Sequence, residues 1–446
     1  MTTDEFKKPL ERLLNAVVEK AVTEGLDLRR LRGVALYDSQ KDSFIKALPE
    51  FAVVESGIKD LDQVRAQYGI EQSSRITLQL VYEYFARTNA ISVDCALLEK
   101  LWADFVTELD IPVWRTRGVT NLRHFQLEDL HVDLGDGVSI HGRNPDVLAS
   151  LGFQGEIWER LVADWSGFGA SSHILVAEST IPKRPDNFIT IDNGEVWLRC
   201  HRAIGAMRLI APGEVGISTT FVQRVAHFNV GIGGVHSTGA TVQTIGYPYT
   251  WPSEQRSLYD STYAALAHLE RIGYRKGPGN LDLALRAFMS TYDRFPFAVD
   301  TKLVDSITAL EAMLGTESEI AFKLSFRVAS LLASSDNQRA ELLKAVKGFY
   351  DTRSRIVHGG RPGKKQNEYL AAVDDLRDMV RRLLGSFVLF AADDTRTVPK
   401  NFFAQDLDLV LVDAERRESL RRLLGLDASQ PPRAPNTTSS MVSLIV

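Results

Sequence analysis

Apolar side chains recur at helical spacing through the first part of the chain, with polar residues between them. In residues 4–25 the apolar positions are Phe6, Leu10, Leu13, Leu14, Val17, Val18 and Ala21. In residues 76–110 they are Ile76, Leu78, Leu80, Val81, Tyr84, Phe85, Leu97, Leu98, Leu101 and Phe105. This periodicity is typical of amphipathic helices. It predicts a helix-rich N-terminal region over residues 1–118.

Between residues 119 and 250 the pattern changes to short apolar–polar alternations that are interrupted by glycine and proline. Examples are HVDLGDGVSIHG, SHILVAEST, FITIDNGEVWLRC and GAMRLIAPGEVGIST. Asn193-Gly194 and Gly135-Asp136-Gly137 have the composition of hairpin turns, so we predict a β-rich domain over residues 119–250. A three-residue turn at the second position would place His131 directly opposite His141.

Helical spacing returns after Pro252 and continues to about residue 393. The apolar positions form four stripes: Leu303, Val304, Ile307, Leu310 and Leu314; Ile320, Leu324, Val328, Leu331 and Leu332; Leu342, Leu343, Val346 and Phe349; Tyr369, Leu370, Val373, Leu376, Val380, Leu383, Leu384 and Phe387. Four helices with short joints predict an antiparallel bundle, which we place at residues 251–395.

Residues 396–446 form a C-terminal extension of mixed character. DLDLVLV at 406–412 predicts a strand, and a short basic helix is expected to end near Leu424, where Gly425 follows. The polar, Pro-containing tail from Ser429 predicts disorder. The fold class predicted for the whole chain is therefore α+β and multidomain, with a mixed α/β to β-rich N-terminal region before an all-α bundle.

Composition narrows the class of protein. Of 446 residues, 44% are apolar and 24% are charged, and the net charge of -5 excludes a uniformly basic nucleic-acid coat. The two cysteines, Cys95 and Cys200, exclude a cysteine-based zinc site and a disulfide framework. The N-terminus lacks the apolar core of a signal peptide, and no apolar run approaches the length of a membrane span. We expect a cytoplasmic protein without membrane segments.

The segment with the most informative chemistry is YDTRSRIVHGG, which runs from Tyr350 to Gly360. A histidine such as His358 can exchange protons near neutral pH. An arginine such as Arg353 offers a permanent charge and a two-pronged donor for a phosphate. RNA supplies its own nucleophile, the 2′-hydroxyl, so this pair could cleave a phosphodiester without a metal or a cofactor.

The spacing of the pair constrains how it can work. Residues five apart on a straight α-helix point about 140° apart, whereas Ser354 lies only about 40° from His358. Arg353 and His358 can converge in two ways: His358 lies on a frayed helix end, or two copies of the helix meet across a homodimer. We favour the homodimer.

Basic residues gather around this segment and are candidates for holding an RNA backbone. The candidate RNA-binding residues are Arg355, Arg361, Lys364, Lys365 and Lys347, with Lys344 nearby. The alternative interpretation of this cluster is an ordinary solvated face.

Arg353, four intervening residues and His358 resemble the R-x4-6-H signature of HEPN domains. The fuller string YDTRSRIVHGG, together with ALEAMLGTESEIAFKLSFRVASLL at 309–332, is similar to the Apea-like branch of that family. The resemblance covers residues 255–393. It implies a small helical bundle that dimerises through the motif helices, and a metal-independent RNase that leaves 2′,3′-cyclic phosphates, often as a toxin in antiviral defence against phage.

The resemblance also implies roles for individual residues. Arg353 would bind the scissile phosphate and His358 would handle the proton. Ser354 occupies a polar position where other branches often have Asn, Asp or His, and Glu319 is a possible third contributor. Because a toxic RNase must be held inactive until it is needed, we also expect the N-terminal region to sense a phage-derived or nucleotide trigger, or to select the RNA.

Alternative interpretations remain for these features. Arg353 and His358 could complement the dipole of a helix C-terminus, with His358 as its cap. The bundle could be a non-catalytic scaffold that dimerises and binds RNA or a nucleotide. His131, His141 and Asp133 could hold a metal on the hairpin, although exposed hairpin faces are commonly polar. The stretch from Gly231 to Gly239 lacks the P-loop and dinucleotide-binding spacings and is predicted to be a loop.

Overall fold

A computed structural model describes most of the chain. The described residues are 3–25, 39–88, 92–129, 131–151, 170–185, 193–226, 228, 236–238, 247–274, 279–294, 298–315, 319–393, 407–410 and 412–426. The predicted disordered tail from Ser429 lies outside them. Within these residues the protein is α+β, with a helix-rich chain built around an antiparallel sheet.

Six helices precede the sheet: α1 (Thr3–Thr23), α2 (Ser39–Lys46), α3 (Pro49–Lys59), α4 (Asp62–Gln67), α5 (Ser73–Arg87) and α6 (Cys95–Asp110). The positions predicted from helical spacing lie on α1, α5 and α6. Asp94 begins α6 because its carboxylate accepts hydrogen bonds from the backbone N–H groups of Ala96 and Leu97 at 2.8 and 3.3 Å. The apolar faces of these helices bury one core of their own.

The strands are β1 (Val113–Arg123), β2 (Phe125–Gln126), β3 (His131–Gly135), β4 (Val138–Gly142), β5 (Ala170–Pro182), β6 (Gly216–Val225), β7 (His236–Thr238) and β8 (Tyr249–Thr250). Six of them form an antiparallel sheet in the order β3-β4-β5-β1-β6-β7, and β2 pairs with β8 in parallel. The hairpin predicted at residues 135–137 joins β3 to β4. Its register places His131 opposite His141, as predicted.

A helix replaces the second predicted hairpin. Asn193-Gly194 begins α8 (Asn193–Ile210) and does not turn between two strands. The side chains of Val196, Cys200 and Met207 are fully buried, and this spacing of four and seven residues matches one face of a helix. The hairpin prediction was wrong because the residues after the turn-like dipeptide bury one helical face, and this burial favours a helix over a turn.

The helix α8 lies between the sheet and the C-terminal helices. These are α9 (Arg256–Arg271), α10 (Leu281–Asp293), α11 (Val299–Leu314), α12 (Ile320–Leu332), α13 (Asp336–Val357), α14 (Lys364–Ala371) and α15 (Val373–Ala392). A short helix, α7 (Pro145–Ser150), packs against the other face of the sheet. One continuous apolar core includes Leu175 and Val222 of the sheet, Val196 of α8, and Leu266 and Leu384 of the C-terminal helices.

Polar contacts reinforce the junction between α8 and the C-terminal helices. The guanidinium of Arg381 donates to the carbonyl oxygens of Leu209 and Ile210 at 3.3 and 3.1 Å. Arg377 forms an ion pair with Glu214, and both side chains are buried. The sheet and the C-terminal helices are therefore joined by charged as well as apolar contacts.

The strand predicted at residues 406–412 is absent from the described part of that segment. Leu407–Leu409 is a short helix, α16, and the charged helix α17 (Ala414–Leu423) follows it and ends where Leu424 caps it, as predicted. The alternation of aspartate and apolar residues in this segment does not reflect a strand, because Asp408 binds the fully buried Arg327. The Nε of Arg327 donates to Asp408 Oδ1 at 3.0 Å, and its Nη1 donates to the Leu314 carbonyl at 2.6 Å.

Replacing Asp408 by alanine is expected to lower the free energy of unfolding by about 2 kcal/mol, because it removes the Asp408 carboxylate from the buried charge of Arg327. The loss is smaller than for a fully buried pair since Asp408 is 31% exposed. Urea denaturation of wild type and variant measures it. Asp260→Ala removes an exposed ion pair with Arg256 and should change stability by less than about 1 kcal/mol. Equal losses in both variants would contradict the structural role of Asp408.

No described helix combines the length and the apolar character that crossing a bilayer requires.

Candidate functional site

The helix α13 carries the segment singled out by its chemistry. It begins after Ser335, whose hydroxyl accepts a hydrogen bond from the Gln338 N–H at 3.3 Å. Val346, Phe349 and Thr352 on one side are buried among the neighbouring helices. The opposite side of α13 therefore faces solvent, and the segment from Arg353 onward reaches the end of the helix.

The C-terminus of α13 is closed by a Schellman motif. The N–H of Gly360 donates to the Arg355 carbonyl at 2.8 Å, and the N–H of Gly359 donates to the Ile356 carbonyl at 3.0 Å. Gly359 adopts a φ of 75°, which glycine accepts readily. The His358 N–H still donates to the Ser354 carbonyl at 3.1 Å, so the helical hydrogen bonds continue to His358. The helix end is not frayed here, and one of the two ways of bringing Arg353 to His358 is not observed.

The His358 side chain is exposed at this helix end. Within the described part of the chain, its ring makes no hydrogen bond or ion pair. The ring is therefore accessible to a ligand from solvent. The same geometry also fits a histidine that caps the helix C-terminus, where its positive form complements the helix dipole.

Arg353 lies five residues before His358 on α13 and forms an ion pair with a carboxylate. Its Nη2 lies 3.4 Å from Glu311 Oε2 on α11, and the two side chains are 25% and 22% exposed. Tyr350 lies beside this pair, and its pKa is raised first by burial and then by the charge of Glu311. Arg353 is thus held at the surface by an acidic neighbour, with part of its guanidinium buried.

Sequence reasoning missed Glu311. The residue lies within the segment at 309–332 that carries the family resemblance, whereas the residue predicted from that segment was Glu319. The structure places Glu319 at the start of α12 with a φ of 53°, exposed, with its carbonyl accepting from the Lys323 N–H at 3.0 Å. Among the described residues, Glu319 makes no ion pair with Arg353, whose carboxylate partner is Glu311. Ser354 is half-buried on α13.

The predicted RNA-binding residues are exposed: Arg355, Arg361, Lys364, Lys365 and Lys347. None of them forms an ion pair within the residues the structure describes. Four lie at the end of α13, in the following loop or at the start of α14, and Lys347 lies about three turns before His358. Their charges are therefore available at the surface beside the histidine.

Packing of α14 against α13 holds this basic loop in place. The Tyr369 ring stacks edge-on against Phe349 with 5.2 Å between ring centroids. Gly348 permits this approach, because a Cβ there would lie 1.9 Å from the Tyr369 ring. At the loop itself, the Gly363 N–H donates to the Gln366 side chain at 3.1 Å and so begins α14.

The β3–β4 hairpin carries the second group of candidate residues. The His131 and His141 rings have centroids 4.4 Å apart, and Ser139 Oγ lies 2.8 Å from His141 Nε2. The pKa of His141 is lowered by burial and then by the charges of His131 and Arg117. No group of three or more His, Cys, Asp or Glu side chains in the described ranges has the arrangement of a metal site. Of the predicted loop from Gly231 to Gly239, the structure describes only β7.

The described residues define an α+β protein whose motif helix presents an arginine, a histidine and a basic loop at one end. No protein-family model matches the chain, and no match was found among curated proteins or solved structures.

Proposed function

We propose that this protein is a metal-independent endoribonuclease of the HEPN type, as the resemblance of YDTRSRIVHGG implies. The observation that carries the proposal is the exposed His358 at the closed end of α13, five residues after Arg353 and beside exposed cations that form no ion pair with any described residue. A proton-transferring group beside a phosphate-binding surface is the arrangement that RNA cleavage requires.

Cleavage of RNA by its own 2′-hydroxyl requires two functions of the protein, proton removal and stabilisation of the phosphate charge. In one active site, His358 removes the proton from a 2′-hydroxyl, whose oxygen attacks the adjacent phosphorus while the bond to the 5′-oxygen breaks. The departing 5′-oxygen takes up a proton from water, and the products are a 2′,3′-cyclic phosphate and a 5′-hydroxyl. Arg353 neutralises the charge on the phosphorus oxygens. Because Glu311 lies 3.4 Å from Arg353, the RNA phosphate must compete with that carboxylate for the guanidinium.

A homodimer supplies the convergence that one helix lacks. Residues five apart on an intact helix point about 140° apart, and the hydrogen bonds of α13 continue to His358. Two copies meeting at the motif helices would place Arg353 of one protomer near His358 of the other. Val357 on α13 is 51% exposed, which gives the motif helix an apolar contact for a partner.

The N-terminal region is proposed as the regulatory part. A toxic RNase must stay inactive until it is needed, so we assign to residues 1–250 the sensing of a phage-derived or nucleotide trigger, or the choice of RNA. The core shared by the sheet and the C-terminal helices supports such coupling, because a change in the sheet reaches α9 and α15 through α8. The biological setting proposed is cytoplasmic anti-phage defence by abortive infection.

The rival proposal is a non-catalytic scaffold that binds RNA or a nucleotide. It is favoured by the ion pair of Arg353 with Glu311 and by the capping position of His358, since both residues then have structural roles. In that case replacing His358 leaves function intact, and replacing Lys364 or Arg361 impairs it.

Cells expressing wild type, Arg353→Ala or His358→Ala separate the two proposals. The RNase proposal expects wild type to fragment RNA in the presence of a chelator and to leave cyclic phosphate ends. Each substitution should reduce the cleavage rate at least about 100-fold, because general acid–base catalysis contributes about that much or more. The matched control is His131→Ala, which removes an exposed histidine far from α13 in the sequence and should cleave like wild type.

Folding and oligomeric state are measured on the same variants by circular dichroism and by sedimentation. Loss of cleavage in a folded, dimeric His358→Ala protein supports catalysis. If RNA remains intact even during phage challenge, and His358→Ala protects cells as well as wild type does, the scaffold proposal replaces it.

A further inference from the structure

The outward face of the β3–β4 hairpin carries four polar side chains in a two-by-two arrangement. His131 and Asp133 lie on β3, and Ser139 and His141 lie on β4. The register places His131 opposite His141 and Asp133 opposite Ser139. The inward neighbours Leu134, Val138 and Ile140 are buried, so the backbone under this face is fixed by the core.

The two histidine rings are already close to the separation that a shared metal ion requires. Their centroids are 4.4 Å apart and their planes are inclined by 42°. Two imidazoles that bind one tetrahedral ion through nitrogens at about 2.0–2.1 Å have centroids about 5 Å apart. A small side-chain rotation away from each other therefore opens the position of the ion, and the strands need not move.

Ser139 supports this use of His141. Its hydroxyl lies 2.8 Å from His141 Nε2. In the tautomer whose Nε2–H donates to the Ser139 oxygen, Nδ1 carries the lone pair and is available as a ligand. A hydrogen bond from the second ring nitrogen is the usual way in which a protein orients a metal-binding histidine. Ser139 thus holds the plane of the His141 ring, and its hydroxyl can accept from Nε2–H when Nδ1 binds an ion.

We propose that His131 and His141 form a surface site for one divalent transition-metal ion, with water completing its coordination. Imidazole nitrogens select copper, zinc and nickel over magnesium and calcium, which prefer oxygen ligands. The Asp133 carboxylate lies beside the site and accepts a hydrogen bond from the Gly135 N–H at 2.9 Å. It contributes negative charge near the ion but is not counted as a ligand, since no three-residue metal cluster is found in the described part of the chain.

The site is separate from the proposed RNase function, which needs no metal. The test uses the full-length protein without an affinity tag, dialysed against a chelator and then titrated calorimetrically with CuCl₂, ZnCl₂ and MgCl₂. We expect copper to bind more tightly than zinc, and magnesium not to bind. His131→Ala and His141→Ala should each weaken copper binding at least about 10-fold, and the double variant should lose this site. Ser139→Ala should weaken it about 10-fold, the usual effect of removing an orienting group.

The control His358→Ala removes an exposed histidine elsewhere and should bind copper like wild type. Circular dichroism establishes that the hairpin variants fold, which is expected because His131 is exposed and His141 is half-buried. The proposal is overturned if wild type releases no more heat with copper or zinc than with magnesium. It is also overturned if the folded double variant binds copper as tightly and with the same stoichiometry as wild type.

Discussion

Replacing Lys183 by methionine is expected to lower the free energy of unfolding by about 3–5 kcal/mol, the usual cost of breaking a buried ion pair from one side. Lys183 Nζ lies 2.7 Å from Glu108 Oε1, with the two side chains 0% and 3% exposed. The ammonium also lies 4.7 Å from the centre of the Trp114 ring. Methionine fills a similar volume but leaves the buried Glu108 carboxylate without the Lys183 ammonium. Urea denaturation at neutral pH measures the loss.

Two further variants identify the cause of this loss. Lys183→Met with Glu108→Leu removes both charges and should recover most of the stability, because a buried pair replaced by apolar side chains is often neutral. Lys59→Met makes the same side-chain change at a partly exposed pair with Glu55 and should cost less than about 1 kcal/mol. A double variant as unstable as the single one would mean that side-chain shape, and not the broken Lys183–Glu108 ion pair, accounts for the loss of stability.

Acid is expected to destabilise the protein through His201. Burial, and secondarily the charge of Arg208, lowers the pKa of this imidazole to about 4. The unfolded chain takes up the proton near pH 6.5 and the folded chain does not. Lowering the pH from 7.5 to 5 should therefore reduce the free energy of unfolding by about 2 kcal/mol through this residue alone. The ring also stacks on Trp197, with 3.8 Å between centroids.

Unfolding curves at several pH values measure this effect in wild type and in His201→Phe. Phenylalanine keeps an aromatic ring beside Trp197 and takes up no proton, so its stability should depend less on pH between 7.5 and 5. Parallel pH profiles for wild type and His201→Phe would contradict the assignment.

The local pattern of apolar and polar residues was sufficient to predict much of the secondary structure. Most of the predicted helical stripes lie on described helices. The register of His131 with His141 is as predicted, and the structure reaches it through a short turn and a strand irregularity between Asp133 and Gly135. The pattern failed where tertiary contacts override local preference. Asn193-Gly194 begins α8 because the residues after it bury one helical face against the sheet. Asp408 lies on a short helix that pairs with Arg327 from a distant part of the chain.

The candidate site was predictable in part. Arg353 and His358 are visible in the sequence because their spacing and the glycines that follow are local features. Glu311, the partner of Arg353, is separated from it by more than forty residues, and only the packing of α11 beside α13 brings them together. Which carboxylate faces an arginine depends on helix crossing and rotation, and the sequence pattern does not specify either.

The position of α8 has a consequence for how this chain can be divided. Its buried side chains belong to the same core as the sheet and the helices α9 and α15, so a chain cut after residue 250 would expose apolar surface on both pieces. Arg381 and Arg377 would lose Leu209, Ile210 and Glu214 in the same step. Heating should accordingly melt sheet and helices in one transition. Fusing the C-terminal helices to an unrelated sensor domain would require a new apolar partner for the surface that α8 covers. We therefore expect that the two halves cannot be exchanged as independent domains.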